Sequence, residues 1–207
     1  MHKDEETWVF RPHSAVPVTV GSWLVVVGFL TAAVYESGPA ALVRALPLAL
    51  AACGLAWLVA YRPRVEVGVE GVLVVNPFTS TLVPWAALVE VRTRFACTFV
   101  TPSRTVHAFA APGPGRHLAT SSAAVDLRHA APGAFDAQGS ISIGELPRSA
   151  SGAVARHVRT RWEHLVETGA IELGVADETP VERHLDTVAL VAVTSLAVVG
   201  LVLVSVP

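Results

Sequence analysis

Three runs without a charged side chain set the first constraint on this 207-residue chain: Ser14 to Tyr35 (22 residues), Ala45 to Tyr61 (17) and Thr187 to Pro207 (21). A helix of about 20 apolar residues crosses the ~30 Å hydrocarbon core of a bilayer, and a helix satisfies all its backbone polar groups within its own segment. The runs are therefore expected to be three transmembrane helices. Composition leans the same way, with 52% hydrophobic and only 15% charged residues, against roughly a quarter charged in ordinary soluble domains. The second run is the shortest, and a buried core helix can look like it. Leu42 and Val43 extend it, however, and Arg44 can carry its guanidinium to the interface on its long stem. The first run is too long for the apolar part of a signal peptide. It also lacks a small-x-small cleavage site and follows Asp4-Glu5-Glu6 where a basic segment is needed, so it is expected to stay as an anchor.

Cations orient the spans. Lys3 and Arg11 precede the first, Arg44 alone lies in the connection 36–44, and Arg62 and Arg64 follow the second at once. By the positive-inside rule the N-terminal tail (1–13) and the region after the transmembrane hairpin (14–61) are expected in the cytoplasm of a multi-pass bacterial plasma-membrane protein. Arg183 precedes the third span and no Lys or Arg follows it, which puts the C-terminus outside. Trp8, Trp23, Tyr35, Trp57 and Tyr61 stand where interfacial aromatics sit. Tyr35 and Tyr61 are expected as anchors, while Trp23 and Trp57 lie deep enough to pack between helices. One Lys against 14 Arg, with abundant Ala, Val and Gly, fits a high-GC bacterium. Cys53 falls in the second span and Cys97 in an expected strand on the reducing side, so each is expected to pack rather than to form a disulfide.

Residues 62–178 are the part that can fold in water. "RVEVGV" alternates Val65, Val67 and Val69 against Glu66 and Gly68, the period of a half-buried strand. Glu70-Gly71 reverses the chain, "VLVVN" runs to Asn76-Pro77, and "TSTLV" leads into Pro84-Trp85. "ALVEVR", "RFACTFV" with Phe95, Cys97 and Phe99 alternating, and "TVHAFA" continue a series of short antiparallel strands, as in a curved sheet or small barrel. Residues 111–149 are rich in Gly, Pro, Ser and Ala and read as a long surface excursion with a short strand around Ser140 to Ile143. A helix follows, with Val154, Val158, Trp162 and Leu165 on one face, Arg156, Arg159, Glu163 and Glu167 facing away, and Gly169 as its C-terminal stop. Residues 179–207 form the last element. Thr179, Pro180 and Glu182 spell a capping box, so the third helix is expected to start there and to project about two turns into the cytoplasm.

Several strands followed by one amphipathic helix, together with Val83-Pro84-Trp85 and Leu88 in "VPWAALVEVR", resemble the pleckstrin-homology (PH)-like domains of small membrane proteins from high-GC Gram-positive bacteria. In that family a hydrophobic-Pro-Trp step ends a strand, with an aliphatic residue three positions on. The physics agrees: Pro84 holds Val83 extended and cannot donate to a ladder, and Trp85 can turn into the interior beside Leu88. The resemblance covers residues 16–168, including paired helices before the domain; the third span and the excursion depart from it. It implies an α+β membrane protein, with three transmembrane helices and a cytoplasmic PH-like antiparallel β-barrel or sheet capped by one C-terminal amphipathic helix.

PH domains bind phosphoinositides through cations on the first strand connection, but here that connection is Glu70-Gly71, and residues 62–186 hold 12 Arg against 13 Asp plus Glu. An anion or lipid site remains open only if strand pairing gathers Arg92, Arg94 and Arg104. "APGPGR" lacks the Lys-Ser/Thr of a phosphate loop. His157 and His164 stand seven apart without a third ligand, so no metal and no other cofactor is expected. A triad can be drawn from His107, His117 or His129 with Asp126 and Ser121 or Ser122, yet nothing in the spacing favours it over a polar loop, and no catalytic residue is assigned. Nucleic-acid binding lacks its basic excess. The spans carry no charge, so no transport path is expected. Gly28, Ala32 and Ala33, and Ala51, Ala52 and Gly54, suit close helix packing. The expected protein is a non-catalytic accessory subunit or assembly scaffold of a larger membrane complex, respiratory or cell-envelope, whose partners are membrane lipids and other integral subunits. The alternative is a tethered lipid or anion sensor.

Overall fold

A computed structural model describes residues 7–113, 149–172 and 174–205. Most of the excursion, with the strand expected at 140–143 and with His117, Ser121, Ser122, Asp126 and His129, lies outside the described residues. The chain divides into two compact units, one of Met1–Pro12, Arg64–Asn76 and Ser80–His184, the other of His13–Pro63, Pro77–Thr79 and Leu185–Pro207.

The second unit holds three helices long and apolar enough to cross a membrane, where the uncharged runs place them. Helix α1 spans Ala15–Ser37 and ends at Gly38, whose φ of 78° no β-carbon would favour. Helix α2, Ala40–Ala56, runs on through a wide turn at Trp57–Tyr61. The last helix of the chain, labelled α4, spans Thr187–Ser205. Packing between α2 and α4 turns on missing side chains. A β-carbon on Gly200 would stand 2.5 Å from the Leu48 backbone nitrogen, and one on Gly54 3.3 Å from a Val193 methyl. Trp23 on α1 donates its indole N–H to the Cys53 carbonyl of α2 at 3.1 Å, but with 42% of its surface exposed it is not buried between the helices.

The expected capping box is not formed. The Thr179 hydroxyl donates back to the Val175 carbonyl, and Glu182–Leu185 is a strand, β8. The cap of α4 is instead Asp186, whose carboxylate accepts from the Ala189 N–H at 3.0 Å and pairs with Arg62 at 2.8 Å. Arg62 also donates to the Pro77 carbonyl, and the Asp186 N–H donates to that of Phe78 at 2.9 Å. The helix therefore starts at the charged residue nearest the apolar run, and no two-turn projection precedes it. The residues before it gain more by supplying backbone partners to a sheet edge than by an exposed helical turn.

Among the described residues the first unit contains two antiparallel sheets. One has the order β1-β2-β3-β4-β8, with β1 Trp8–Phe10, β2 Arg64–Val67, β3 Gly71–Val75 and β4 Thr79–Pro84. The other has the order β5-β6-β7, with β5 Glu90–Arg92, β6 Ala96–Val100 and β7 Thr105–Pro112. Strand β1 corrects the reading of residues 1–13 as a tail. Trp8, Val9 and Phe10 pair with Val67, Glu66 and Val65, and Trp8 and Phe10 pack against the core. Trp8 is thus part of a fold rather than an interfacial anchor. Val67 ends β2, and Val69 turns out to solvent because the chain is already reversing, with the Gly68 N–H bonded to the Gly71 carbonyl at 3.0 Å.

The core is made by Val65, Val67, Val72, Val74 and Val83 from the first sheet, Cys97 and Phe99 from the second, and Val154 and Val158 from helix α3, Ala150–Glu167. Trp162 and Leu165 continue that helical face, partly buried against the same core. Phe95 breaks the expected alternation: it precedes β6 in a turn and is 82% exposed. The Ser149 hydroxyl caps α3 by accepting from the Gly152 N–H at 2.9 Å. At the other end the Gly169 N–H reaches Val166 and the Ala170 N–H reaches Leu165, with Gly169 at φ 67°, the paired bonds of a Schellman stop. The Asn76 side chain ties β3 to β7, donating to the His107 carbonyl at 2.8 Å and accepting from the Phe109 N–H at 2.9 Å.

Candidate functional site

The Pro-Trp step is structural. Pro84 sits opposite Gly71 with extended backbone (φ −60°, ψ 148°), after which the chain makes one tight turn through Trp85–Ala87. Trp85 is 3% exposed, Leu88 is buried with it, and the indole N–H donates to the Gly68 carbonyl at 3.2 Å. Gly71 is forced by this arrangement, since a β-carbon there would lie 2.1 Å from the Val83 carbonyl oxygen.

The three arginines picked out as an anion patch do not converge. Arg92, on β5, forms a 2.7 Å ion pair with Glu90; that hydrogen bond and charge hold the Glu90 carboxyl below the usual carboxylate range and raise the Arg92 guanidinium. Arg94 lies in the turn before β6 and stacks over the Phe95 ring at 5.2 Å. Arg104 lies in the turn after β6, its carbonyl bonded to the Thr101 N–H. The two turns sit at opposite ends of a five-residue strand, about 13 Å apart at ~3.3 Å per residue.

Two clefts flank α3 instead. The smaller, about 270 Å³, runs along β5, where the Arg159 guanidinium donates to the Val91 carbonyl at 2.8 Å beside Trp162 and Glu163. Arg159 therefore turns toward the sheet, contrary to the expectation that it faces away; Arg156, Glu163 and Glu167 do face solvent. The larger cleft, about 590 Å³, opens between α3, the start of β1 and the turn after β2. Its helical wall is His157, Thr160, Arg161 and His164, spaced so that all four share one face. Trp8 stacks on the His157 ring with centroids 4.2 Å apart, and Val69 also lines the cleft. Burial, and then the charge of Arg161, push the His157 imidazole below its ordinary value. No carboxylate lines this cleft among the described residues.

From their spacing in the sequence, His157 and His164 are candidates only as metal ligands. Among the described residues no three His, Cys, Asp or Glu side chains gather to hold a metal. The helical spacing of residues 157, 160, 161 and 164 was visible in the sequence, but the role of Trp8 was not, because nothing local says that "TWVF" pairs with a strand more than fifty residues on. Buried Cys97 offers no chemistry here, as desolvation pushes its thiol up to about 12.

Two sheets closed by a helix, carried by a chain with three helices fit to span a bilayer, define an α+β membrane protein with a PH-like domain. Residues 62–132 match the family model described as Bacterial PH domain, so the stretch from β2 through β7 is a bacterial PH domain set within a membrane protein. No curated protein and no solved structure matches the chain.

Proposed function

We propose that this protein is a non-catalytic integral membrane subunit whose PH domain is a protein-interaction module, serving a larger membrane complex as accessory subunit or assembly scaffold; respiratory-chain and cell-envelope complexes are the candidates. The observation that carries this reading over a lipid sensor is the dispersal of Arg92, Arg94 and Arg104, each held at a different place on the second sheet. A phosphorylated headgroup is gripped by converging donors. Membrane recruitment also needs no PH domain here, since a transmembrane helix already anchors effectively irreversibly. Lys3, Arg11, Arg62 and Arg64 favour a cytoplasmic N-terminus and PH domain, with the C-terminus outside. The test is purification of the tagged full chain in mild detergent from its native membrane. Stoichiometric recovery of other integral subunits is the expected result; recovery of the chain alone counts against the proposal.

A further inference from the structure

We infer that the smaller cleft, lined by β5 and α3, is a pocket for a single arginine side chain presented by a partner protein. The inference rests on the interaction-module reading and names one surface through which the module would act. The cleft holds about 270 Å³, below the ~300–1,000 Å³ of small-molecule pockets and suited to one long side chain. Its charged groups are unevenly committed. The Arg159 guanidinium donates to the Val91 carbonyl at 2.8 Å, and Glu90 is paired with Arg92 at 2.7 Å. Glu163 also lines the cleft, is exposed, and has no ion pair or hydrogen bond among the described residues. Beside it in the chain, Trp162 lines the cleft and is only partly buried, and Val89 lines it with 61% of its surface exposed.

An uncommitted carboxylate next to an aromatic ring is a set of groups that receives a guanidinium. The flat cation lies over the ring while its N–H groups donate to the carboxylate, and its methylene stem covers an apolar neighbour such as Val89. A lysine ammonium brings neither a plate to stack nor a fork of donors, so it fits less well. An acidic side chain would face Glu163 with a like charge, and an apolar one would strip water from its carboxylate without replacing it. A strand added to the β5 edge is also a poorer occupant, although β5 ends its sheet and has no strand on its outer side among the described residues. Arg159 already holds the Val91 carbonyl, the middle acceptor of this three-residue edge.

The experiment titrates the full-length protein, in uncharged detergent, with a fluorescein-labelled heptapeptide alternating valine and arginine, read by anisotropy. Lysine-valine and glutamate-valine peptides are the controls. Saturable binding of the arginine peptide is expected, severalfold weaker binding of the lysine peptide, and none of the glutamate peptide. Glu163→Gln, at an exposed position, should weaken the arginine peptide tenfold or more, and Val89→Lys, which sets a cation in the cleft at another exposed position, should abolish its binding. Glu167→Gln removes a carboxylate one turn further along α3, outside the cleft, and should leave binding unchanged. Thermal melts of each variant verify that the domain is folded, and Glu163→Gln keeps the test decisive if Val89→Lys is unstable. A flat titration, equal binding of the lysine peptide, or equal weakening by Glu163→Gln and Glu167→Gln would each overturn the inference. So would self-association of the chain that Val89→Lys abolishes while the peptide titration stays flat, an outcome that would make a second copy the occupant. The two levels fail separately: a chain purified without partners counts against the accessory role and leaves the titration standing, while a flat titration in a chain that still co-purifies with partners removes only the arginine pocket.

Discussion

At the scale of single residues, the most constrained position is Gly71. Its missing β-carbon lets the backbone of β3 lie against the Val83–Pro84 step, where an added carbon would stand 2.1 Å from the Val83 carbonyl oxygen. Because the obstacle is backbone, nothing flexible can yield, and Gly71→Ala is expected to cost about 3 kcal/mol, the upper end for overpacking. Its urea midpoint, followed by tryptophan fluorescence, should fall accordingly; an unchanged midpoint would refute the close approach. Cys97 shows the opposite effect of burial. With its thiol pushed up to about 12 from an ordinary 9.0, it stays protonated at pH 8, so in a Cys53→Ser background iodoacetamide should label the chain only after denaturation. Labelling of the folded protein would contradict its burial. The sign of the linked stability follows: the contribution is fully present below the unfolded value of 9.0 and is lost as pH rises from there towards about 12, since only the unfolded chain then gives up its proton.

At the scale of elements, residue pattern and partner supply each decided some of the outcome. The valine alternation of β2, the Pro-Trp stop of β4 and the Val154–Val158 face of α3 were legible because each strand or helix announces its own period. The capping box at Thr179 was misleading for a physical reason: a sequence that can start a helix can also lie extended, and β4 offered an edge to complete. Asn76 is the element-scale device that no periodicity reveals. It substitutes for one rung of a ladder between β3 and β7, so Asn76→Ala leaves the His107 carbonyl and the Phe109 N–H without that partner. A loss of about 2 kcal/mol is expected, from two modest hydrogen bonds at a solvent-accessible site. Asn76→Asp retains the acceptor for Phe109 and should recover part of it, a graded result that thermal melting of the three proteins would check.

At the scale of the whole molecule, the unit that carries the PH domain is discontinuous in sequence, drawing its first strand from before the transmembrane hairpin and its last from just ahead of α4. A fragment cut at the composition boundary, 62–178, therefore lacks both β1 and β8. It should be less stable than the same fragment with residues 7–12 joined by a flexible linker to its N-terminus, because removing Trp8 and Phe10 uncovers Val65 and Val67. Equal proteolytic lifetimes for the two fragments would show β1 to be dispensable.

Much was determined by sequence alone: three spans, the strand series and the amphipathic helix, because hydrophobic length and local period are properties of contiguous residues. The tertiary structure alone decided that Trp8 belongs to the domain, that Asp186 caps the last helix, that Arg92, Arg94 and Arg104 stand apart, and that His157, Thr160, Arg161 and His164 share a cleft with Trp8. Those outcomes depend on which distant segments supply backbone partners and apolar cover to one another, and a linear pattern carries no record of that choice.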